Sequence, residues 1–127
     1  MADLFVTNQL DLAAWGPARV LLRKAGMVDL TRVTDLFALV PLGGDGERPA
    51  VAAVHRRGDS AELLALVVRI DRRRLGLGGR LLDGVADALR AGGFDLLWSI
   101  DDAGAGRRWL IRRGFEPVPH DRLELVL

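Results

Sequence analysis

Residues 66–82 read LVVRIDRRRLGLGGRLL. An apolar run gives way to arginines, then to glycines at positions 76, 78 and 79, then to paired leucines. Glycine lets a backbone approach a ligand closely. Past the turn, Leu81, Leu82, Val85, Ala86 and Leu89 recur at spacings of three and four, which predicts a helix over 80–91 stopped by Gly92-Gly93. The first N–H groups of a helix lack intrahelical partners and sit at the positive end of its dipole. A strand that feeds such a turn therefore presents an anion site, and phosphate is the usual guest. Arg73, Arg74 and Arg80 add positive charge. The same residues also fit a glycine-rich turn with a solvated basic face.

The residues after the glycines exclude two familiar phosphate loops. A P-loop needs Lys-Ser or Lys-Thr after its last glycine, and Gly79 is followed by Arg80-Leu81. A dinucleotide fingerprint needs a third glycine where Leu81 stands.

Upstream, residues 62–68 (ELLALVV), 50–55 (AVAAVH) and 34–42 (TDLFALVPL) read as strands. Turn clusters at 43–49 and 56–59 separate them, which predicts an antiparallel meander. A short strand over 1–7 comes first. Between it and residue 34 lies a helix that starts at Gly16-Pro17, carries Ala18, Leu21, Leu22 and Ala25, and stops at Gly26. Downstream come a strand at 94–100 (FDLLWSI), a turn with Asp101, Asp102 and Gly104, a helix at 106–112, and short strands at 115–118 and 123–127. The whole predicts an α/β chain with at least one crossover helix.

The chain has 127 residues, half of them hydrophobic, which suits one domain over 1–127 with a buried core. Its 18 basic and 17 acidic residues nearly cancel to a net charge of +1. That excludes an acidic tail, a histone-like cation and a disordered chain. With no Cys, thiolate chemistry and disulfides are excluded, and two His leave little for a multi-His metal site, so no metal is expected. No basic-then-apolar leader and no membrane-length apolar run is visible, so a soluble cytoplasmic protein without a membrane partner is expected.

The segment Arg73-Arg74-Leu75-Gly76-Leu77-Gly78, followed by Gly79-Arg80-Leu81-Leu82, resembles the acyl-CoA-binding motif of the GNAT acyltransferase superfamily, Gln/Arg-x-x-Gly-x-Gly/Ala. Three further matches extend the resemblance from about residue 62 to 117. Leu66-Val67-Val68 ends the preceding strand, 94–100 looks like the fifth strand, and the run from Arg107 through Gly114-Phe115 looks like the last helix of that family. The resemblance implies a GNAT-like fold with a central, mixed, mostly antiparallel sheet flanked by helices. It implies acetyl-CoA or coenzyme A as cofactor. Backbone groups of Leu66, Val67 and Val68 would pair with pantetheine, and Arg73, Arg74, Leu75, Gly76, Leu77, Gly78, Gly79 and Arg80 would surround the pyrophosphate. Direct transfer of an acetyl group to a small-molecule or peptide amine is the implied reaction. Many relatives dimerise, so the resemblance admits a homodimer.

The family pattern breaks at the chemistry. The Tyr that protonates the departing thiolate in many relatives falls at Leu110, and the chain has no Tyr. A free thiol has a pKa of about 8.5, so thiolate leaves without help, at a cost of the ~10²–10⁴-fold that a positioned acid supplies. The carboxylate that relatives place mid-strand falls near Leu64 and Ala65. Glu62 is the nearest carboxylate and is the candidate general base; an exposed strand-start charge is its other reading. His55, at a strand end, is a second candidate, because imidazole exchanges protons near neutrality. His120, in an expected turn, is read as structural, Asp101 and Asp102 as helix-entry residues, and Trp98 and Trp109 as core. The family's Asn before the last helix falls at Gly104.

Two other functions stay open at this level. The missing Tyr and mid-strand carboxylate fit a non-catalytic CoA-binding or regulatory module. Arg69, Arg72, Arg73 and Arg74 with Arg107, Arg108, Arg112 and Arg113 would suit nucleic acid, but the net charge of +1 and the lack of any nucleic-acid motif argue against it.

Overall fold

A computed structural model describes residues 4–8, 19–24, 31–41, 49–72, 76–100 and 105–127. Trp15, Gly16, Pro17, Gly26, Arg73, Arg74, Leu75, Asp101, Asp102 and Gly104 lie outside the described residues. The elements in chain order are β1 (Leu4–Asn8), helical residues 19–24 (α1), β2 (Asp35–Pro41), β3 (Ala50–Arg57) and β4 (Ser60–Val68). Next are α2 (Leu77–Ala91), β5 (Leu96–Ile100), α3 (Ala105–Arg112), β6 (Glu116–Val118) and β7 (Arg122–Val126). No helix among the described residues is long and apolar enough to cross a membrane.

The strands form one seven-stranded sheet in the order β1-β2-β3-β4-β5-β7-β6. The expected meander is β2 to β4, each pair antiparallel, and β1 adds to its edge antiparallel to β2. A parallel pair, β4 with β5, needs a crossover, and α2 supplies it.

Strand residues alternate between faces, and two apolar clusters result. Phe37, Leu39, Ala50, Ala52, Val54, Leu63, Leu97 and Leu123 point to one face, where Leu77, Leu81, Leu82, Val85 and Leu89 of α2 cover them. Each buried Leu, Val or Phe side chain contributes about 1.5–3 kcal/mol. Trp109 and Leu110 of α3 pack against the same cluster. Leu36, Ala38, Val51 and Ala53 point to the other face, with Leu22 of α1 over them.

Helix α2 begins at Leu77, earlier than the leucine pattern predicts. Gly76 is its N-cap in the left-handed region, φ 74°. Glycine is a poor helix former, which is why periodicity places the start at Arg80; close packing holds Gly78 and Gly79 in the first turn instead. A Cβ on Gly78 would stand 3.4 Å from Trp109 Cζ2 and 3.5 Å from Val68 Cγ2.

The Gly114-Phe115 pair closes α3. Gly114 takes φ 103°, and Phe115 N–H donates to Leu110 O at 3.1 Å. This left-handed stop turns Phe115 into the core, where it is 1% exposed.

Candidate functional site

The central feature is a fork in the sheet. β4 and β5 pair only from Ser60 with Leu96 to Glu62 with Trp98. Beyond that point β4 runs on to Val68 paired with β3, and its pairing with β5 does not continue among the described residues. A bulge lies just past the fork: Val54 pairs with Leu63 but Ala53 pairs with Ala65, so Leu64 is an extra residue. Bulges bend a strand and increase its twist, which carries β4 away from β5.

The bulge also sets which backbone groups face the opening. Arg69 N–H donates to Pro49 O at 2.8 Å, so these two form a hydrogen-bonded antiparallel pair. Such pairs alternate with pairs whose polar groups point outward. Val67 therefore turns its backbone toward β3, while Leu66 and Val68 turn theirs to the open edge. Of the three residues expected along that edge, Leu66 and Val68 are the two whose backbone groups face away from β3.

The open edge leads to the start of α2. The first intrahelical bond there is Arg80 N–H to Gly76 O at 3.2 Å, so the N–H groups of Leu77, Gly78 and Gly79 precede the ladder. The first turn carries no acidic residue and no side-chain cap. Arg80 is exposed. A further cation arrives from the turn just after α3: the Arg113 guanidinium fills the space that a Cβ on Gly79 would occupy. Its Cζ lies 5.4 Å from the centroid of the Trp109 ring. The sequence gives no local sign of this neighbour, because residues 79 and 113 meet only once α3 packs beside α2.

At the fork itself stands Glu62, 4% exposed rather than on a solvated strand start. Its Oε1 accepts from Arg32 Nη2. Arg32 is held in turn by His55, whose Nδ1–H donates to the Arg32 carbonyl at 2.6 Å. The carbonyl can only accept, which fixes the proton on Nδ1. His55 is also the cross-strand partner of Glu62. The two base candidates thus belong to one assembly, with Glu62 at the fork and His55 as the anchor of its arginine.

Beside Glu62, Trp98 is half-buried on the face away from α2, not in the core as expected. Arg122 of β7 stacks on it, Cζ 4.0 Å from the ring centroid, and forms an ion pair with Glu124, Nε to Oε2 3.0 Å. Trp109 does pack against the core. Leu110, at the position of the relatives' Tyr, packs there too. His120 sits in the β6–β7 turn with φ 69°, as a turn residue. Arg32, Arg113 and Arg122 are the site-bordering residues that sequence reading missed.

No protein-family model matches the sequence, and no curated protein matches it. Solved structures do match over its whole length. A GNAT family N-acetyltransferase from Escherichia coli, in complex with CoA, superposes with a TM-score of 0.76 at 15% identity, over 99% of this chain and 82% of that one. The chain has the GNAT fold. A GNAT acetyltransferase from Brucella melitensis, in complex with acetyl-CoA, gives 0.69 at 17% identity over 100% and 90%. The ribosomal-protein-S18-alanine N-acetyltransferase of Escherichia coli gives 0.66 at 21% over 98% and 90%. At these identities the GNAT fold is what is shared, and the chemistry rests on this chain's own residues.

Proposed function

We propose that residues 1–127 form one GNAT-like domain that acts as an acetyl-CoA-dependent N-acetyltransferase on a small-molecule or peptide amine. The observation that carries this reading is the fork: β4 leaves β5 after Glu62 and offers an open edge that ends at the N-terminus of α2. From Glu62 to Val68 that edge spans about 20 Å at ~3.3 Å per residue.

The residues present fit coenzyme A along this path. Its pantetheine arm carries amides, which an edge strand can pair as it pairs another strand; Leu66 and Val68 turn their polar groups that way. The N–H groups of Leu77, Gly78 and Gly79, with Arg80 and Arg113, suit the pyrophosphate. Arg73, Arg74 and Leu75 belong to the same proposed cradle. Relatives of this fold bind CoA and acetyl-CoA in their crystal structures.

When bound, acetyl-CoA supplies a thioester that an amine attacks directly. In this reading Glu62 at the fork takes the proton that the amine loses. The new N–C bond replaces the C–S bond, and the departing thiolate takes its proton from water, because no Tyr exists to give one. Arg32 and His55 hold the Glu62 carboxylate in place.

A second reading, a CoA-binding module without transfer, is favoured by Leu110, which packs half-buried against the core where relatives carry the Tyr. Calorimetric titration with acetyl-CoA and a thiol-release assay across an amine panel separate the two. Binding with turnover supports the transferase. Binding without turnover supports the module, and no binding overturns both.

A further inference from the structure

One row of side chains crosses the sheet at the fork. His55 pairs with Glu62, Glu62 with Trp98, and Trp98 with Glu124, all in register on the face away from α2. Paired residues in a sheet share a face, so the row is continuous across β3, β4, β5 and β7. Two guanidinium groups border it. Arg32 lies on the β3 side, bonded to Glu62, and Arg122 lies on the β7 side, stacked on Trp98. On one side of the row this face is apolar and covered by Leu22 of α1. On β5 and β7 the exposed residues Ile100 (51%) and Val126 (80%) flank the row, one on either side.

The Arg32–Glu62 pair has an unequal exposure. The Glu62 side chain is 5% exposed and that of Arg32 53%. Arg32 spends one terminal nitrogen on Glu62. A guanidinium carries five donors in a planar fork that matches a carboxylate. Among the described residues its remaining donors meet no other partner.

Resting on the transferase reading above, we infer that the acceptor is a free α-amino acid, whose carboxylate pairs with Arg32 while its amine lies at Glu62. The pair offers a carboxylate oxygen and a guanidinium nitrogen one hydrogen bond apart. An α-amino acid carries the complementary charges on a single carbon. Its ammonium meets Glu62 and its carboxylate meets the exposed donors of Arg32, so neither charge is left without a counterpart at the site. A peptide amine lacks the neighbouring carboxylate, and a diamine sets a second cation against Arg32. His55 holds the Arg32 backbone, and the stacked Trp98–Arg122 pair forms the wall against which the amino-acid side chain lies.

The test uses the full chain with acetyl-CoA and compares free L-amino acids with their carboxamides and with aliphatic diamines, by thiol release. Calorimetry of amino-acid binding to the CoA-saturated protein is run in parallel. Free amino acids are expected to exceed their amides at least tenfold in kcat/KM. In Arg32→Ala the amino acid is expected to lose at least ten times more than its amide does, through KM and through calorimetric affinity. Arg32→Lys, which keeps the charge beside Glu62 but not the fork, is expected to show the same selective loss in smaller measure, and decides the matter if Arg32→Ala does not fold. Equal use of acids and amides, preference for diamines, or an equal loss on both substrates in the variants overturns the inference. So does acetyl-CoA binding without turnover of any amino acid. Failure to bind acetyl-CoA at all instead overturns the transferase reading on which it rests.

Discussion

Glu62 and Trp98 are the last pair of residues that hold β4 to β5. One position further the strands part, and every part of the candidate site is arranged about that point. The buried carboxylate stands at the vertex, the open edge of β4 leads away from it, and the α2 N-terminus lies at the far end. Substitutions at these places separate binding, chemistry and folding.

Glu62→Gln keeps the shape of the side chain and removes its ability to take a proton. The expected result is a fall in kcat of about 10²–10⁴-fold with acetyl-CoA affinity unchanged by calorimetry. An equal loss of cofactor affinity would show that Glu62 only supports the fold of the fork.

Gly79→Ala puts a methyl group where the Arg113 guanidinium lies. Arg113 is exposed and long, so it swings aside at small cost. Replacing a helical glycine by alanine also gains about 0.5–1 kcal/mol. The melting temperature is therefore expected to hold or rise while acetyl-CoA affinity falls about tenfold, the low end for a hydrogen bond to a charged group. Arg113→Ala is expected to show the same loss of affinity, and the double variant no more than either alone, as calorimetry would read.

Gly78 and Gly76 are constrained differently. A Cβ at 78 would make ordinary contacts with Trp109 and Val68, so Gly78→Ala is expected to be tolerated and Gly78→Leu to lose about 1–3 kcal/mol by overpacking. At Gly76 there is open space but φ is +74°, so Gly76→Ala is expected to cost about 1–2 kcal/mol through backbone strain alone. Urea unfolding of the three variants tests the ranking.

Leu110→Tyr restores the residue type that relatives use as an acid. If thiolate departure limits turnover, kcat is expected to rise while the KM for acetyl-CoA stays within a factor of about two, a split that steady-state kinetics resolves. No change in kcat would mean that the half-buried position does not reach the thioester.

Much of the architecture is local and so was readable from the chain. The apolar run at 50–55 between its turn clusters, the helical spacing from Leu81 to Leu89, and the Gly114-Phe115 stop depend on neighbours a few residues apart. So does the glycine turn at the start of α2, because a glycine-rich lead into a helix precedes the first N–H groups of its ladder. Helix α2 was read three residues late for a non-local reason: the room beside Gly78 is taken by Trp109 from another helix.

What the sequence determined by itself is the order of strands and helices, the turn at Gly76 and the absence of a tyrosine. Periodicity and residue chemistry are enough for these. Tertiary structure alone decided that β4 parts from β5 at Glu62, that Arg32 reaches that carboxylate, and that Arg113 stands over Gly79. Each joins residues roughly 30 or more positions apart, and only packing the sheet and its helices together sets their distance.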